Sequence, residues 1–407
     1  MLYFKLLWLN LYKNKFGSLM IVLLIALSVG LSICLNLQER AFREGSAAAA
    51  ERFDLVIGAP GSETQLVLSS VFLQPAPLPL IPVSHLHALQ QDPRVAWASP
   101  LAFGDFTKGM PIVGTDKNFV LNAANSLISG RVFAEPFEAV AGANSGYAIG
   151  DKFSPLHGQI GEEGAHHHKH IEYEVVGIRA QDHSAWDHAV LVPLETLWQV
   201  HEHQREEKGQ PSSASAAEPN DVAHSHSEPG VSAIVVKPKS IAAAYQLRSQ
   251  YRNEQTQGLF PAEVLVKVYA LLGDAKQVLS WVAVVTQILV AIALLMIISL
   301  YLKGQQRQIA AWRVFGAPRG KILWLIWGGL FMLITLSVLI GVGAGYGAAL
   351  LISRQIGMNS GFLLPLSLRA QDIYHILLIL LSAGLMALIP LLRLYGRSPI
   401  RILREQD

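Results

Sequence analysis

The chain has 407 residues, of which 51% are apolar and only 15% charged, with a net charge of +2 and one cysteine. Ordinary soluble chains carry roughly 25% charged residues, so this composition lies outside the soluble class. So small a net charge gives no ground for a nucleic-acid partner. The lone cysteine, Cys34, sits in an apolar run, so no disulfide framework is available and Cys34 reads as a packing residue.

In chain order, the first element is an uncharged apolar run over residues 16–37. A bilayer core of about 30 Å needs roughly 20 apolar helical residues, so transmembrane helix 1 is predicted at 16–38. A secretory signal peptide is the competing reading, with Lys13 and Lys15 as its basic flank and the alanines at 47–50 as its cleavage region. A signal's apolar region spans only about 7–15 residues. This run is longer, and the alanines lie too far beyond it.

A water-exposed domain is predicted at 40–275. Strand signals fall at 53–57 and 95–101, with a helix at 84–91 capped by Ser84; strands at 232–236 and 264–268 flank a helix at 240–252. Two strand–helix–strand units thus enclose an insertion, which predicts a split α/β layer. Further strand signals within the insertion fall at 150–153 and 173–178. Residues 58–62 bear glycine but no lysine and no following helix pattern, so they read as a plain turn. No Gly-x-x-x-x-Gly-Lys-Ser/Thr and no Gly-x-Ser-x-Gly occurs, so no phosphate cradle or nucleophile elbow is present.

The insertion concentrates histidine. His157, His166, His167, His168, His170, His183, His188, His201, His203, His224 and His226 make up eleven of the fourteen. Neutral imidazole is a common metal ligand, and this density points to Zn²⁺ or Ni²⁺ at the His-rich stretches 157–170 and 201–230. The bland alternative is polar loops, because 201–230 is rich in Ser, Ala, Glu and Pro and cannot build a core. No His-Glu-x-x-His spacing marks a catalytic metal.

Three more apolar runs predict transmembrane helices at 278–302, 322–353 and 373–392. The middle one holds 32 uncharged residues, about 48 Å of helix, with glycine at 341, 343, 345 and 347. Close packing explains these glycines better than a break. No span carries a charge at its centre, so a dedicated ion path is unsupported. Basic residues crowd the start, the 303–321 segment and the 393–407 tail, while the 354–372 loop is poor in them. The positive-inside rule puts both termini and 303–321 in the cytoplasm, and the large domain and 354–372 outside. Within 303–321, Ile309, Trp312 and Arg313 lie at helical spacing, Gly316 is a helix-stop residue and Pro318 a helix starter. This predicts a short amphipathic helix turning directly into the third span.

The pattern from Arg307 through Ile309, Arg313, Gly316 and Ala317 to Ile322 resembles the loop that opens the C-terminal part of FtsX-like ABC transporter permeases. The tail Ser398-Pro399-Ile400-Arg401-Ile402-Leu403-Arg404 resembles that family's close, and residues 9–15 its amphipathic opening helix, here 1–15. The one-plus-three order of spans is similar to that of the MacB and LolC/LolE group. Gln308 and Trp312 depart from the family pattern, which often has Glu and Leu there.

The resemblance implies a four-helix membrane protein (1+3) with a large α+β extracytoplasmic domain of MacB periplasmic type between the first and second helices. It implies a permease subunit of the inner membrane that is not itself an enzyme, working as a homodimer or heterodimer of permeases with a separate cytoplasmic ABC ATPase. Arg307, Ile309, Trp312, Arg313, Phe315 and Gly316 become ATPase-coupling candidates. Membrane lipid and a periplasmic lipoprotein or metal carrier are further expected partners. From the histidines alone stands a different reading: a membrane-anchored metal-binding sensor, linked to metal homeostasis.

Overall fold

The computed structural model describes residues 15–122, 127–157, 166–167, 171–207, 229–360 and 364–395. Helix α1 (Lys15–Ala50) comes first. Then follow β1 (Leu55–Gly58), α2 (Glu63–Phe72), β2 (Ile81–Pro82), α3 (Ser84–Gln91) and β3 (Val95–Thr107). The insertion holds β4 (Met110–Thr115), α4 (Lys117–Asn122), β5 (Leu127–Gly130), β6 (Glu138–Ala141), β7 (Lys152–Phe153), β8 (Leu156–His157), β9 (His166–His167) and β10 (Tyr173–Arg179). A 3-10 turn (Ala185–His188), β11 (Val190–Pro193) and α5 (Leu194–Glu207) complete it. The chain returns through β12 (Gly230–Val231), β13 (Ala233–Pro238), α6 (Ile241–Gln250) and β14 (Gln257–Leu259), and three long helices follow: α7 (Pro261–Val314), α8 (Arg319–Ser360) and α9 (Ala370–Tyr395). Two compact units result, with boundaries after Arg43, Leu272, Gln355 and Leu363.

The α+β unit starts from a four-stranded layer in the order β14-β1-β13-β3. β1 runs antiparallel to both β13 and β14, and β13 antiparallel to β3. The crossovers β1–α2–α3–β3 and β13–α6–β14 therefore interleave, which is the split βαβ arrangement. β3 is 13 residues long because it serves two sheets. Its 95–101 half pairs with β13, and from Ala102 onward it pairs with β4 across a register shift. The insertion sheet continues β4-β11-β6-β10-β5. Leu55, Ile57, Leu89 and Ile234 of the first layer share one core with Ile112, Tyr173 and Val190 of the insertion.

Several sequence expectations are corrected. Residues 264–268 are helical, not a strand: Pro261 and Glu263 open α7, where a fixed φ and an acidic first turn favour helix. The strand lies earlier, at β14. A helix does follow the 58–62 turn, because the Ser62 hydroxyl accepts the Gln65 N–H (3.2 Å) and so caps α2. The 307–319 stretch is not a separate short helix; through Val314 it is the end of the 54-residue α7. Residues 201–207 of the expected loop belong to α5, and 157–170 contains the paired strands β8 and β9. The opening helix at 1–15 and the tail beyond 395 lie outside the described residues, except that Lys15 begins α1.

Among the described residues four helices are long and apolar enough to cross a membrane, with apolar spans in Lys15–Ala50, Gln287–Gly304, Gly320–Gly357 and Ala370–Arg393. α1 shows how the membrane unit sorts its side chains. Ile21, Ile25, Val29, Ile33 and Leu37 form a buried stripe, while Leu23, Leu27, Leu31 and Leu35 are each more than half exposed. Both rows follow the i, i+4 spacing of one helix face. α8 is unbroken through its glycines. A Cβ on Gly341 would meet the Ala26 carbonyl oxygen at 2.7 Å, and one on Gly345 would strike that of Gly30, so α1 and α8 touch backbone to backbone. Arg40 adds a two-pronged pair to Asp372 (2.9 and 2.7 Å), whose carboxylate also accepts the Arg369 N–H at 2.8 Å. Gly345→Val is expected to cost roughly 1–3 kcal/mol by overpacking and to lower the melting temperature of the purified protein. Gly347→Val, where nothing lies within 4 Å, leaves it unchanged in the same thermal-unfolding measurement.

Candidate functional site

The elbow between α7 and α8 is built by hydrogen bonding of its backbone. The Ala317 N–H donates to the Trp312 carbonyl (3.0 Å) and the Gly316 N–H to that of Arg313 (3.2 Å). This is the paired capping pattern that needs a left-handed residue at its centre, and Gly316 supplies it with φ +83°. The Pro318 carbonyl then accepts the N–H groups of Lys321 (3.1 Å) and Ile322 (3.3 Å) and starts α8.

The elbow sorts the candidate coupling residues by direction. Ile309 is buried with Ile322 and Ile326 in the helix core, and Trp312 packs against that core. Neither offers its apolar face to a partner. Phe315 is 88% exposed and Val314 67%. Arg313 is half-buried, and Arg307 lies within α7. Sequence reasoning missed Val314 and the exposed Trp324 near the start of α8, 69% accessible. Trp324 stacks edge-on to Trp327, whose indole N–H donates to the Gly384 carbonyl (3.1 Å). The available signal was a bulky apolar pair directly before a helix-stop glycine.

Residues 281–399, which enclose this elbow, match the family model described as FtsX-like permease C-terminal. Over this stretch, under a third of the chain, the sequence is similar to that C-terminal domain. Two solved structures are each similar to about half of this chain. The periplasmic region of MacB from Actinobacillus actinomycetemcomitans is 9% identical, with a TM-score of 0.33 over 54% of this chain and 95% of that one. The extracellular domain of the noncanonic ABC-type transporter YknZ from Gram-positive bacteria is 12% identical, with a TM-score of 0.29 over 50% and 98%. No curated protein matches.

The chain's histidines are scattered. His166 and His167 form β9, and His201 and His203 lie in α5. His168, His170, His224 and His226 lie outside the described residues. Among the described residues no three His, Cys, Asp or Glu side chains converge as a metal site. His183 and His188 belong instead to a buried charged loop. Asp182 accepts from Arg179 (2.9 Å) and Arg52 (2.6 Å) and from the Ser184 hydroxyl. The Asp187 carboxylate accepts the N–H groups of Asp182 (2.9 Å) and His183 (2.8 Å). The exposed His183 contributes its backbone, in a left-handed conformation. His188 is half-buried, and burial lowers its pKa by disfavouring the charged form. The Trp186 indole N–H donates to the Val71 carbonyl (3.1 Å), and its ring lies 4.8 Å from that of Phe119 and 6.0 Å from that of Phe53.

The two carboxylates of this loop divide their roles. Burial drives the Asp182 pKa upward, but Ser184, Arg179 and Arg52 outweigh it and hold the group below the ordinary value. Burial, with the Asp182 charge beside it, pushes Asp187 up to about 6. Because the folded value exceeds the ordinary 3.8, this group's stabilising contribution is complete below about pH 4 and is lost as pH rises through 6. Thermal unfolding of the full chain between pH 4.5 and 7 is expected to show this loss, and Asp187→Asn to flatten it.

Proposed function

We propose that this chain is the permease subunit of an ABC transporter of the inner membrane, driven by a separate cytoplasmic ATPase through the α7–α8 elbow. Two permease chains, identical or related, would complete the complex. The carrying observation is the bare apolar tip, Val314 and Phe315, inside the matched 281–399 stretch. Exposed aromatics set on a fixed turn are the residue type that dominates protein interfaces. Ile309 and Trp312 act from behind, by fixing the direction of the tip. ATP-driven movement of the partner would shift α7 and α8 together, because Gly316 closes their junction with two backbone hydrogen bonds. Phe315→Asp is expected to reduce co-purification of the ATPase roughly thirtyfold, the scale of a 2 kcal/mol interface contact. Gly316→Pro and Arg313→Glu are expected to bind but uncouple ATPase turnover from transport. Unchanged co-purification and turnover in all three variants would count against the reading.

A metal-handling role rests on a separate observation. Asp105 pairs with His157 across β3 and β8, and His157 with His166 across β8 and β9. This strand register brings two histidine positions and one aspartate position to neighbouring strands. Neutral imidazole is a common Zn²⁺ ligand, and such binding would let the α+β unit sense the metal or receive it from a periplasmic carrier. Calorimetric titration of the full chain with zinc chloride at pH 7 is expected to give one site, weakened at least tenfold in the double variant His157→Ala/His166→Ala. Absence of any binding heat removes the metal role.

A further inference from the structure

A groove of about 190 Å³ opens in the membrane unit between α7 and α9. Its rim holds Lys303 and Arg393 and its walls hold Leu295, Leu302 and Ile389. Both cations stand at the ends of their spans, since the apolar stretches run Gln287–Gly304 and Ala370–Arg393. Both are exposed, and among the described residues neither meets a carboxylate within ion-pair distance. α7 and α9 run toward the same side of the bilayer, the side of the basic 303–321 segment. Leu295 lies eight residues deeper than Lys303, about 12 Å along the helix, and Ile389 one turn deeper than Arg393. The groove therefore has a doubly cationic mouth at headgroup level and an apolar floor at acyl-chain level. The Ser299 hydroxyl donates to its own helix at the Leu295 carbonyl (2.6 Å), so the floor presents no free donor from that group.

We propose that this groove is a binding site for one anionic phospholipid, its phosphate between Lys303 and Arg393 and an acyl chain along Leu295, Leu302 and Ile389. Basic pockets between transmembrane helices recognise acidic headgroups on the cytoplasmic side. The order of charges and apolar walls matches a lipid, whereas a free phosphate would have no use for the floor. The site stands independently of the ATPase and metal roles and needs only that the four helices span a bilayer.

Native mass spectrometry of the full-length protein, released from detergent with added phosphatidylglycerol or phosphatidylcholine, tests it. The wild type is expected to retain one phosphatidylglycerol in preference to phosphatidylcholine. Lys303→Gln/Arg393→Gln is expected to weaken retention roughly 25-fold, at about fivefold for each cation near an acidic lipid. Lys303→Arg/Arg393→Lys should retain the lipid, and Leu295→Trp, which fills the floor without changing charge, should lose it. Lys321→Gln, which removes a cation in the first turn of α8 outside the groove, serves as the control and should behave as wild type. Wild-type retention by the double Gln variant overturns the proposal. So does displacement of the lipid by millimolar inorganic phosphate, which assigns a free-anion site. A change of oligomeric state with lipid retention unaltered overturns it as well, since it assigns the groove to contact between copies.

Discussion

A helix whose outward side is leucine holds its place only where no water reaches it. In α1 the buried Ile and Val row and the exposed Leu row lie on one helix, both too apolar for solvent. The bilayer removes the penalty on the outer row and leaves the inner row to decide which helices meet. Since lipid tails are as apolar as leucine, hydrophobicity gives little reason for one helix to choose another. Shape and polar contacts must do so. Here the choice falls to the backbone approach of Gly30 to Gly341 and Gly345, and to the two-pronged pairing of Arg40 with Asp372.

The α+β unit, taken by itself, solves a different problem. Its insertion would be a separate sheet if β3 ended where β13 stops pairing. By running on past the register shift, β3 gives both sheets one shared edge and one continuous core. The charged loop at 182–188 is the polar counterpart of that core. Each of its buried carboxylates is met by guanidinium groups, a hydroxyl or backbone N–H groups. Leaving such charges unpaired would be far more costly than burying apolar side chains.

The elbow joins these themes in the membrane unit. A chain reversing between two helices leaves carbonyls and N–H groups without helical partners. Gly316 lets the backbone satisfy them locally, so no side chain of the turn is needed for capping. That leaves Phe315 and Val314 to face outward, where an apolar tip has value only against another surface.

Fold class and membrane order were readable from the chain because they depend on lengths and on one-dimensional periodicity. Four apolar runs, the helix at 84–91 and the strand after Arg94 announce themselves that way, although Ser84 lies within that helix and Val83, with no side-chain hydrogen bond, is its cap. The helix stop at Gly316 was equally local, since a glycine after a helical pattern has few other uses. What the sequence left open depended on neighbours distant in the chain. Alternating Val264, Val266 and Val268 looked like a strand until Pro261 and the apolar run beyond joined them into α7. The same limit governed the elbow: Ile309 and Trp312 share a helical face with a docking surface as readily as with a core. Only the packing of Ile322 and Ile326 against Ile309 turned that face inward and left Phe315 outside. The opposition of Asp105, His157 and His166 likewise arose from strand register. Periodicity fixes which side chains share a face, but the partner that covers a face is chosen in three dimensions.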